Sequence, residues 1–253
     1  MKFHSFFITF VIIYIMNCKY IRVGEKMNDI MLSQYSILVE FLGKSLGPDY
    51  EVALHDIGDD TSSVVAIANG YISGRSIGSP MTNFGLNMLT DKIYKHTNYK
   101  ANYHGISKDQ RILRSSTLFI KDKNEELVGM LCINFDDRKF VNLSNQILKL
   151  CHPDELIEKQ CTYESVDSLI NDEVETFSGS ISEATETVLN KVLVDNDISI
   201  DRLTQIERLS VISILNRKGI FMLKGAVSEV AKQLHCSEPS IYRYLNKINK
   251  EIE

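Results

Sequence analysis

Apolar residues recur at two different spacings along this chain, and each spacing predicts a different kind of element. Residues 28–47 repeat apolar side chains on one side at helical spacing, which predicts a helix that ends at Gly47 and Pro48. Residues 50–57 alternate and residues 63–68 form a short apolar run, which predicts two strands. The pair Asn69 and Gly70 that follows is typical of a tight hairpin turn.

The pattern continues with one helix and two more strands. Helical spacing predicts a helix at residues 83–95, and β-prone runs at residues 111–121 and 127–135 predict two strands. The polar residues 122–126 join those strands as a turn. Antiparallel strands with interposed helices indicate an α+β domain, and the arrangement resembles a PAS fold.

The C-terminal region has helical spacing throughout. Residues 203–216 predict one helix, and two shorter helices follow, with a break at His235, Cys236 and Ser237. The apolar face of the first short helix is formed by Ala226, Val230, Ala231 and Leu234. The apolar stripe of the second is formed by Ile241, Tyr244, Leu245 and Ile248. Two short helices joined by a turn of about three residues predict a helix-turn-helix in an all-α domain.

The face opposite that stripe has the residue types that suit a DNA major groove. A guanidinium or an amide can reach base edges, and lysines and hydroxyls can hold phosphates. The predicted DNA-binding residues are Ser237, Pro239, Ser240, Tyr242, Arg243, Asn246, Lys247 and Lys250. The alternative is a helical hairpin that packs against a partner, with these charges on a solvated face. His235 stands where many such motifs have a glycine.

Charge is distributed unevenly along the 253 residues, whose net charge is −5. Residues 151–200 hold two basic and twelve acidic residues, whereas residues 201–253 hold nine basic and six acidic ones. A basic C-terminal module behind an acidic connector is compatible with double-stranded DNA as a partner. We therefore predict a PAS-like sensor domain at residues 27–145, an acidic linker with helical pieces at 146–195 and a DNA-binding domain at 196–253. The Ser/Thr/Glu-rich tract at residues 176–187 is typical of a solvated connector.

The first 26 residues do not match the rest of the chain. Their apolar run at residues 6–16 is shorter than the roughly 20 residues that a membrane-spanning helix needs. A signal peptide and a membrane anchor are two interpretations. The third is that residues 1–26 are a doubtful extension, because Gly24, Glu25 and Lys26 can be encoded by a purine-rich ribosome site ahead of Met27. We favour the third.

Candidate small-molecule contacts lie next to the apolar runs of the sheet domain. They are His55, Asn69, Arg75, Arg114 and Ser116. Arg75, Arg114, Ser115 and Ser116 can converge on an anionic ligand, and the equal alternative is hydrogen bonding that only stabilises the fold. For His55 the favoured alternative is a histidine whose hydrogen bonds are satisfied within the core. The five cysteines include no CxxC pair, so we expect no disulfide framework, no metal, no cofactor and a cytoplasmic location. No nucleophile, base and orienting residue recur in a recognised order, so the protein is not expected to be an enzyme.

Three long segments resemble the YheO-like transcriptional regulators. They are HDIGDDTSSVVAIANGYISGRSIGSP at residues 55–80, NYHGISKDQRILRSSTLFIKDKNEELVGMLCINFD at 102–136 and GIFMLKGAVSEVAKQLHCSEPSIYRYL at 219–245. The resemblance implies a PAS-like domain joined to a C-terminal helix-turn-helix, in a family with repressors of D-arginine utilisation among its members. Asn83 departs from an expected Asp, and Gln110 departs from a usual Gly.

These observations predict a ligand-responsive DNA-binding regulator. One recognition helix covers only a few base pairs, so we expect a homodimer or higher oligomer formed through the PAS-like domain and the helix at residues 28–46. A small molecule, with an amino acid as a candidate, is the expected effector. The alternatives are a membrane-tethered regulator, and a small-molecule-binding protein whose helical hairpin is a protein-interaction module.

Overall fold

The computed structural model describes residues 27–58, 63–151, 175–195 and 203–252, without the side chains of Asp195 and of residues 249–252. The strands are Tyr50–Asp56 (β1), Ser63–Ala68 (β2), Tyr99–Ile106 (β3), Ile112–Lys121 (β4), Leu127–Phe135 (β5) and Glu175–Thr176 (β6). The α-helices are Asp29–Leu46 (α1), Asn83–Thr90 (α2), Arg138–Cys151 (α3), Ile181–Asp195 (α4), Gln205–Arg217 (α5), Ala226–Gln233 (α6) and Glu238–Ile252 (α7).

The strands form one sheet in the order β2-β1-β5-β4-β3-β6. Neighbours pair antiparallel except β6, which adds two residues parallel to β3. Alternation places Glu51, Asn134 and Ser115 side by side on one face, since Asn134 is the register partner of both other residues. The opposite face packs against α1 through a core that includes Val39, Leu54, and Leu131.

The helix and strands predicted at residues 28–47, 50–57 and 63–68, and the antiparallel pair at 111–121 and 127–135, are confirmed. The predicted hairpin at Asn69 and Gly70 is wrong, because β2 lies at the sheet edge and the chain turns away toward α2. Asn69 adopts a left-handed φ of 56°. Its Nδ2 donates to the carbonyls of Gly43, Gly47 and Tyr50, so this side chain fastens the C-terminus of α1 to β1.

The tract predicted to be a solvated connector differs in the structure. Residues 175 and 176 join the sheet, Phe177 is buried against Ile72 and Leu113, and Ala184 and Leu189 on α4 enter the main core. Among the acidic side chains that the structure describes in this part of the chain, Glu186 is exposed and Glu183 is half-buried, whereas Glu175 is buried together with the apolar side of these elements. The part of residues 146–195 between Cys151 and Glu175 lies outside the described residues.

Local sequence signals, such as a helix cap, set the boundaries of the C-terminal helices. Thr204 caps α5 and forms a capping box with Glu207, each side chain accepting from the other's backbone N–H. The core of α4 to α7 is continuous with the core around α2. Gly219 lies at this junction, where an added Cβ would be 3.0 Å from Thr90 Cγ2. The absence of a side chain there lets the helical region pack closely on α2.

None of the helices in the described ranges is long and apolar enough to cross a membrane. Residues 1–26, on which the anchor, signal-peptide and extension hypotheses depend, lie outside the described residues.

Candidate DNA-binding face and a buried polar site

The turn between α6 and α7 has the geometry of a helix-turn-helix. His235 holds a left-handed φ of 50°, and the Cys236 N–H donates to the Ala231 carbonyl at 2.9 Å. Ser237 directly precedes α7, with its hydroxyl 2.9 Å from that of Ser240. The left-handed φ explains why glycine suits the position of His235.

The faces of α7 are separated as the sequence predicts. Ile241, Tyr244, Leu245 and Ile248 are buried against the other helices. Of the predicted DNA-binding residues, Ser237, Pro239, Arg243 and Lys247 are exposed. Ser240, Tyr242 and Asn246 are half-buried, and Tyr242 also packs against the core. The side chain of Lys250 lies outside the described residues.

Contacts with neighbouring residues and helices hold the exposed face of α7 in place. The Arg243 guanidinium lies 5.7 Å from the ring centroid of the buried Tyr244, which limits the directions it samples. Behind α7, the helix α6 is joined to α4, where the Ser182 hydroxyl donates to Glu229 at 2.8 Å and Gln233 donates to Thr185. A recognition helix with one buried face and one exposed cationic face can enter a major groove as a rigid body.

A second group of polar residues is buried between the sheet and the loop after β2. Arg75 donates to Glu51 at 2.8 Å, and its guanidinium stacks 4.6 Å from the Phe177 ring centroid. Glu51 also accepts from Ser73 N and Oγ and from Asn134 Nδ2 at 2.9 Å. Both carboxylate oxygens of Glu51 are therefore fully used, which is what a buried charge requires.

His55 lies beside this ion pair. Its Nε2 is 3.4 Å from Arg75 Nη1, and since a guanidinium only donates, Nε2 accepts and the ring proton is on Nδ1. Burial, reinforced by the Arg75 charge, lowers the pKa of His55 to about 3. The imidazole is therefore neutral at physiological pH.

Glu175 closes the group from β6. Its Oε1 accepts from the Thr82 hydroxyl at 2.7 Å, while the neighbouring Thr176 donates to Asn83 Oδ1. Burial raises the pKa of the Glu175 carboxyl, although Arg75, Thr82 and the nearby Ser115 hydroxyl oppose that shift. Asn83, the departure from the family pattern, thus fixes β6 to the start of α2.

Four buried polar atoms of this group have no hydrogen-bond partner within the described ranges. They are His55 Nδ1, Ser115 Oγ, Asn134 Oδ1 and Glu175 Oε2. The Ser115 hydroxyl faces Glu175 without reaching hydrogen-bond geometry. Each such atom destabilises the folded state by about 1–3 kcal/mol when nothing pairs it. The presence of four of them in one place marks this polar group as a candidate binding site.

The structure brings together only two of the five predicted small-molecule contacts. His55 and Arg75 meet in the buried site, whereas Asn69 caps α1. Arg114 stacks on Phe135 at the opposite face of the sheet, and Ser116 accepts from Asn102 N there. Sequence reasoning missed Glu51, Ser73, Asn134 and Glu175. Ser115, which the sequence places among the same polar groups as Arg75, does lie in the buried site, and alternation supports it because Ser115 shares its face with Leu113 and Phe119.

The described residues contain no group of three or more His, Cys, Asp or Glu that could hold a metal ion. Burial raises the pKa of the Cys132 thiol to about 12, so this cysteine is a poor nucleophile at neutral pH. Cys132 instead lies 3.3 Å from the Thr117 hydroxyl, which in turn contacts Tyr103 OH.

Comparison with known proteins agrees with both halves of the structure. A model of the YheO-like PAS domain matches residues 25–152, and a model of an HTH domain matches residues 184–246. YheO of Escherichia coli K12 is 28% identical over 222 residues, which cover 86% of this chain and 84% of YheO. A Haemophilus influenzae protein is 25% identical over 244 residues, covering 94% of this chain and 99% of that protein.

The transcriptional regulator DauR of Pseudomonas aeruginosa is 22% identical over 224 residues, covering 88% of this chain and 96% of DauR. The resemblance, the α+β architecture and the C-terminal helix-turn-helix that the sequence predicts are therefore confirmed. The PAS-like sheet with its buried polar site and the exposed face of α7 are the two halves of one regulator architecture, and the chain belongs to the YheO-like family of DNA-binding transcriptional regulators.

Proposed function

We propose that this protein regulates transcription from the cytoplasm as a homodimer whose DNA affinity depends on a small molecule in the PAS-like domain. The observation that carries the proposal is the division of α7 into a buried apolar face and an exposed face with Arg243 and Lys247. Arg243 has the reach and the paired donors to read a guanine, and Lys247 lies one helical turn on and suits a phosphate.

A homodimer is supported by α3, none of whose residues is buried. Phe140, Leu143, Ile147 and Leu150 are 58%, 55%, 52% and 85% exposed. They alternate at spacings of three and four residues, which is the a/d pattern of helices that pair along a seam. The same seam on a second copy complements this one, and pairing two copies would place two α7 helices on two DNA half-sites.

A response to a small molecule is supported by the chain path between the two halves. Residues 175–177 close the buried polar site through Glu175 and Phe177, and α4 begins four residues later. Helix α4 then holds α6 of the helix-turn-helix through Ser182 and Thr185. We expect a change at Glu175 to reach α6 through this short connection.

The test is a fluorescence-anisotropy titration of the full chain with DNA from upstream of its own gene and with random DNA, at several salt concentrations. Arg243→Ala should weaken binding to the specific fragment by about 1–3 kcal/mol. The ratio of the affinity for the specific fragment to the affinity for random DNA should therefore fall. Lys247→Ala should weaken both DNAs alike and lower the salt slope by about one.

The matched control is Lys44→Ala, because Lys44 is an exposed lysine on α1 that pairs with the exposed Glu40. It should leave both affinities unchanged. Equal binding of wild type and both α7 variants would show that this face does not meet DNA and would favour a hairpin that binds another protein.

A further inference from the structure

The hydrogen-bonding capacity left over in the buried polar site defines the kind of molecule that it can take. We propose that this site binds a small organic cation through N–H donors, that is, a primary ammonium or a guanidinium group. The inference names the chemical class of the effector and rests on the ligand response proposed above. The proposed ligand has the opposite charge to the anionic ligand that the sequence suggested for Arg75.

Arg75 is already committed within the protein. Its Nη2 donates to Glu51, its Nε donates to the Ser73 hydroxyl at 3.1 Å and its Nη1 faces His55 Nε2. Phe177 covers the flat side of the guanidinium. An incoming carboxylate or phosphate would have to displace the buried Glu51, which has four hydrogen bonds of its own. The site is therefore a poor receptor for anions.

Three of the four atoms without partners favour a donor, and the fourth, His55 Nδ1, is itself an N–H donor. Asn134 Nδ2 is used by Glu51, so Asn134 presents its carbonyl oxygen, which can only accept. Glu175 Oε2 is likewise an acceptor, and the Ser115 hydroxyl lies next to Glu175. Two acceptors and a hydroxyl on one side of a buried site are matched by a group that carries two or more N–H bonds.

The charges agree with the hydrogen-bonding pattern. Arg75 is the cation that faces two buried carboxylates: it hydrogen-bonds Glu51, and its charge also lowers the pKa of Glu175, while His55 is neutral. Burial is the largest cause and raises the pKa of Glu175, and the Glu51 charge adds to that rise, so one positive charge is shared between two carboxylates. A ligand ammonium or guanidinium would supply the missing charge at hydrogen-bonding distance.

The register keeps these groups together. Asn134 and Ser115 are direct partners on β5 and β4, and Glu175 is the partner of Gly105 on β3. Gly105 has no side chain between Ser115 and the Phe177 ring, where an added Cβ would lie 2.8 Å from Ser115 Oγ. The glycine therefore leaves Glu175 a direct path to Ser115 across β3.

Four small probes of similar size separate the possibilities: propylammonium, methylguanidinium, propanol and propionate. Binding to the full chain is measured by ligand-observed NMR and by the thermal unfolding midpoint, at matched ionic strength and without DNA. Molecules of four or five heavy atoms bind with roughly millimolar affinity. One or both cations should bind at least tenfold more tightly than propanol and propionate and should raise the unfolding midpoint. The ratio of the dissociation constants of propylammonium and methylguanidinium shows whether the site prefers an ammonium or a guanidinium group.

Glu175→Gln keeps the shape of the side chain and removes its charge, and Ser115→Ala removes the hydroxyl. Each should lose at least tenfold in cation binding. Glu175→Gln should unfold without ligand at a midpoint no lower than that of wild type, because it removes one of the two buried carboxylates that share the Arg75 charge. Glu40→Gln, on the exposed side of α1, is the matched control and should bind cations as wild type does.

Binding of propionate in preference to the cations, or no difference between propylammonium and propanol, would overturn the proposal. Cation binding that survives in folded Glu175→Gln would place the cation elsewhere, and no binding of either cation would mean that the site holds only water. Because no readout includes DNA, these failures are distinct from a failure of the α7 face.

Discussion

His55 lies on β1 with its ring buried and its Nε2 accepting from Arg75, and this arrangement makes the stability of the protein depend on pH. The folded state keeps the imidazole neutral down to a pKa of about 3, whereas the unfolded chain takes up a proton near pH 6.5. Stability from this residue is thus full above pH 6.5 and is lost as the pH falls toward 3.

His55→Gln should remove that pH dependence. In wild type, the free energy of unfolding should fall by up to about 1.4 kcal/mol per pH unit on account of His55 between pH 6.5 and 4. The variant should show a smaller slope, because glutamine offers an acceptor to Arg75 and does not titrate. Urea unfolding across this pH range measures it. His96→Gln, at an exposed histidine, should keep the wild-type slope, and parallel curves for wild type and His55→Gln would contradict the assignment.

Single residues were predictable where the backbone itself sets a requirement. His235 and Gln110 both stand where glycine is usual, and both adopt positive φ, at 50° and 59°. The polar site was less predictable, because its meaning depends on partners distant in sequence. Arg75 looks like an anion ligand in isolation, and only the structure shows Glu51 opposite it. Ser115 and Ser116 are adjacent in sequence but face opposite sides of the sheet.

At the scale of elements, α3 is the clearest candidate for the dimer seam. Leu143→Glu would put a carboxylate into the middle of that seam in both copies, where two like charges would be buried together. The variant should remain folded, since Leu143 is exposed, and should sediment as a monomer. Sedimentation equilibrium at several concentrations measures the change.

Asn142→Glu is the matched control, because it adds the same charge to the polar face of the same helix. It should leave the association constant within about threefold of wild type. A wild-type protein that is itself a monomer at all concentrations, or a dimer that survives in Leu143→Glu, would exclude α3 as the interface.

Elements with a strong local period were predictable, and those assembled from distant partners were not. The amphipathic pattern of α5, α6 and α7 and the runs of β1, β4 and β5 give their positions directly. Strand β3 is interrupted at Asn102, whose φ of 59° breaks the alternation, so its pattern is hidden. Strand β6 has only two residues and exists because β3 offers it an edge.

At the scale of the whole molecule, the connection from β6 to α4 joins the PAS-like domain to the helix-turn-helix domain, and Gly105 on β3 lies close to Phe177 of that connection. An added Cβ would lie 2.7 Å from the Phe177 ring and 2.8 Å from Ser115 Oγ. Gly105→Ala should therefore lower the free energy of unfolding by about 1–3 kcal/mol. It should also speed hydrogen exchange at residues 175–185 by displacing Phe177.

Gly179→Ala is the matched control on the same connection, since its added Cβ would be no closer than 3.5 Å to any neighbour. Its exchange rates and stability should stay near those of wild type. Denaturant titration and hydrogen exchange read by mass spectrometry measure both variants. Unchanged exchange at residues 175–185 in Gly105→Ala would show that Phe177 does not hold the connection in place.

The same connection decides the order in which the protein can fold. Strands β1 to β5 are complete once Phe135 has been synthesised, whereas Thr82 waits for a partner, Glu175, that lies 93 residues further along the chain. Domains form from the N-terminus during synthesis, and closing so long a loop adds an entropic penalty. The sheet can therefore form first with the Glu51–Arg75 pair still open on one side. Its polar site becomes enclosed only as the chain enters α4, so enclosure of that site and the start of the helix-turn-helix domain coincide late in the synthesis of the chain.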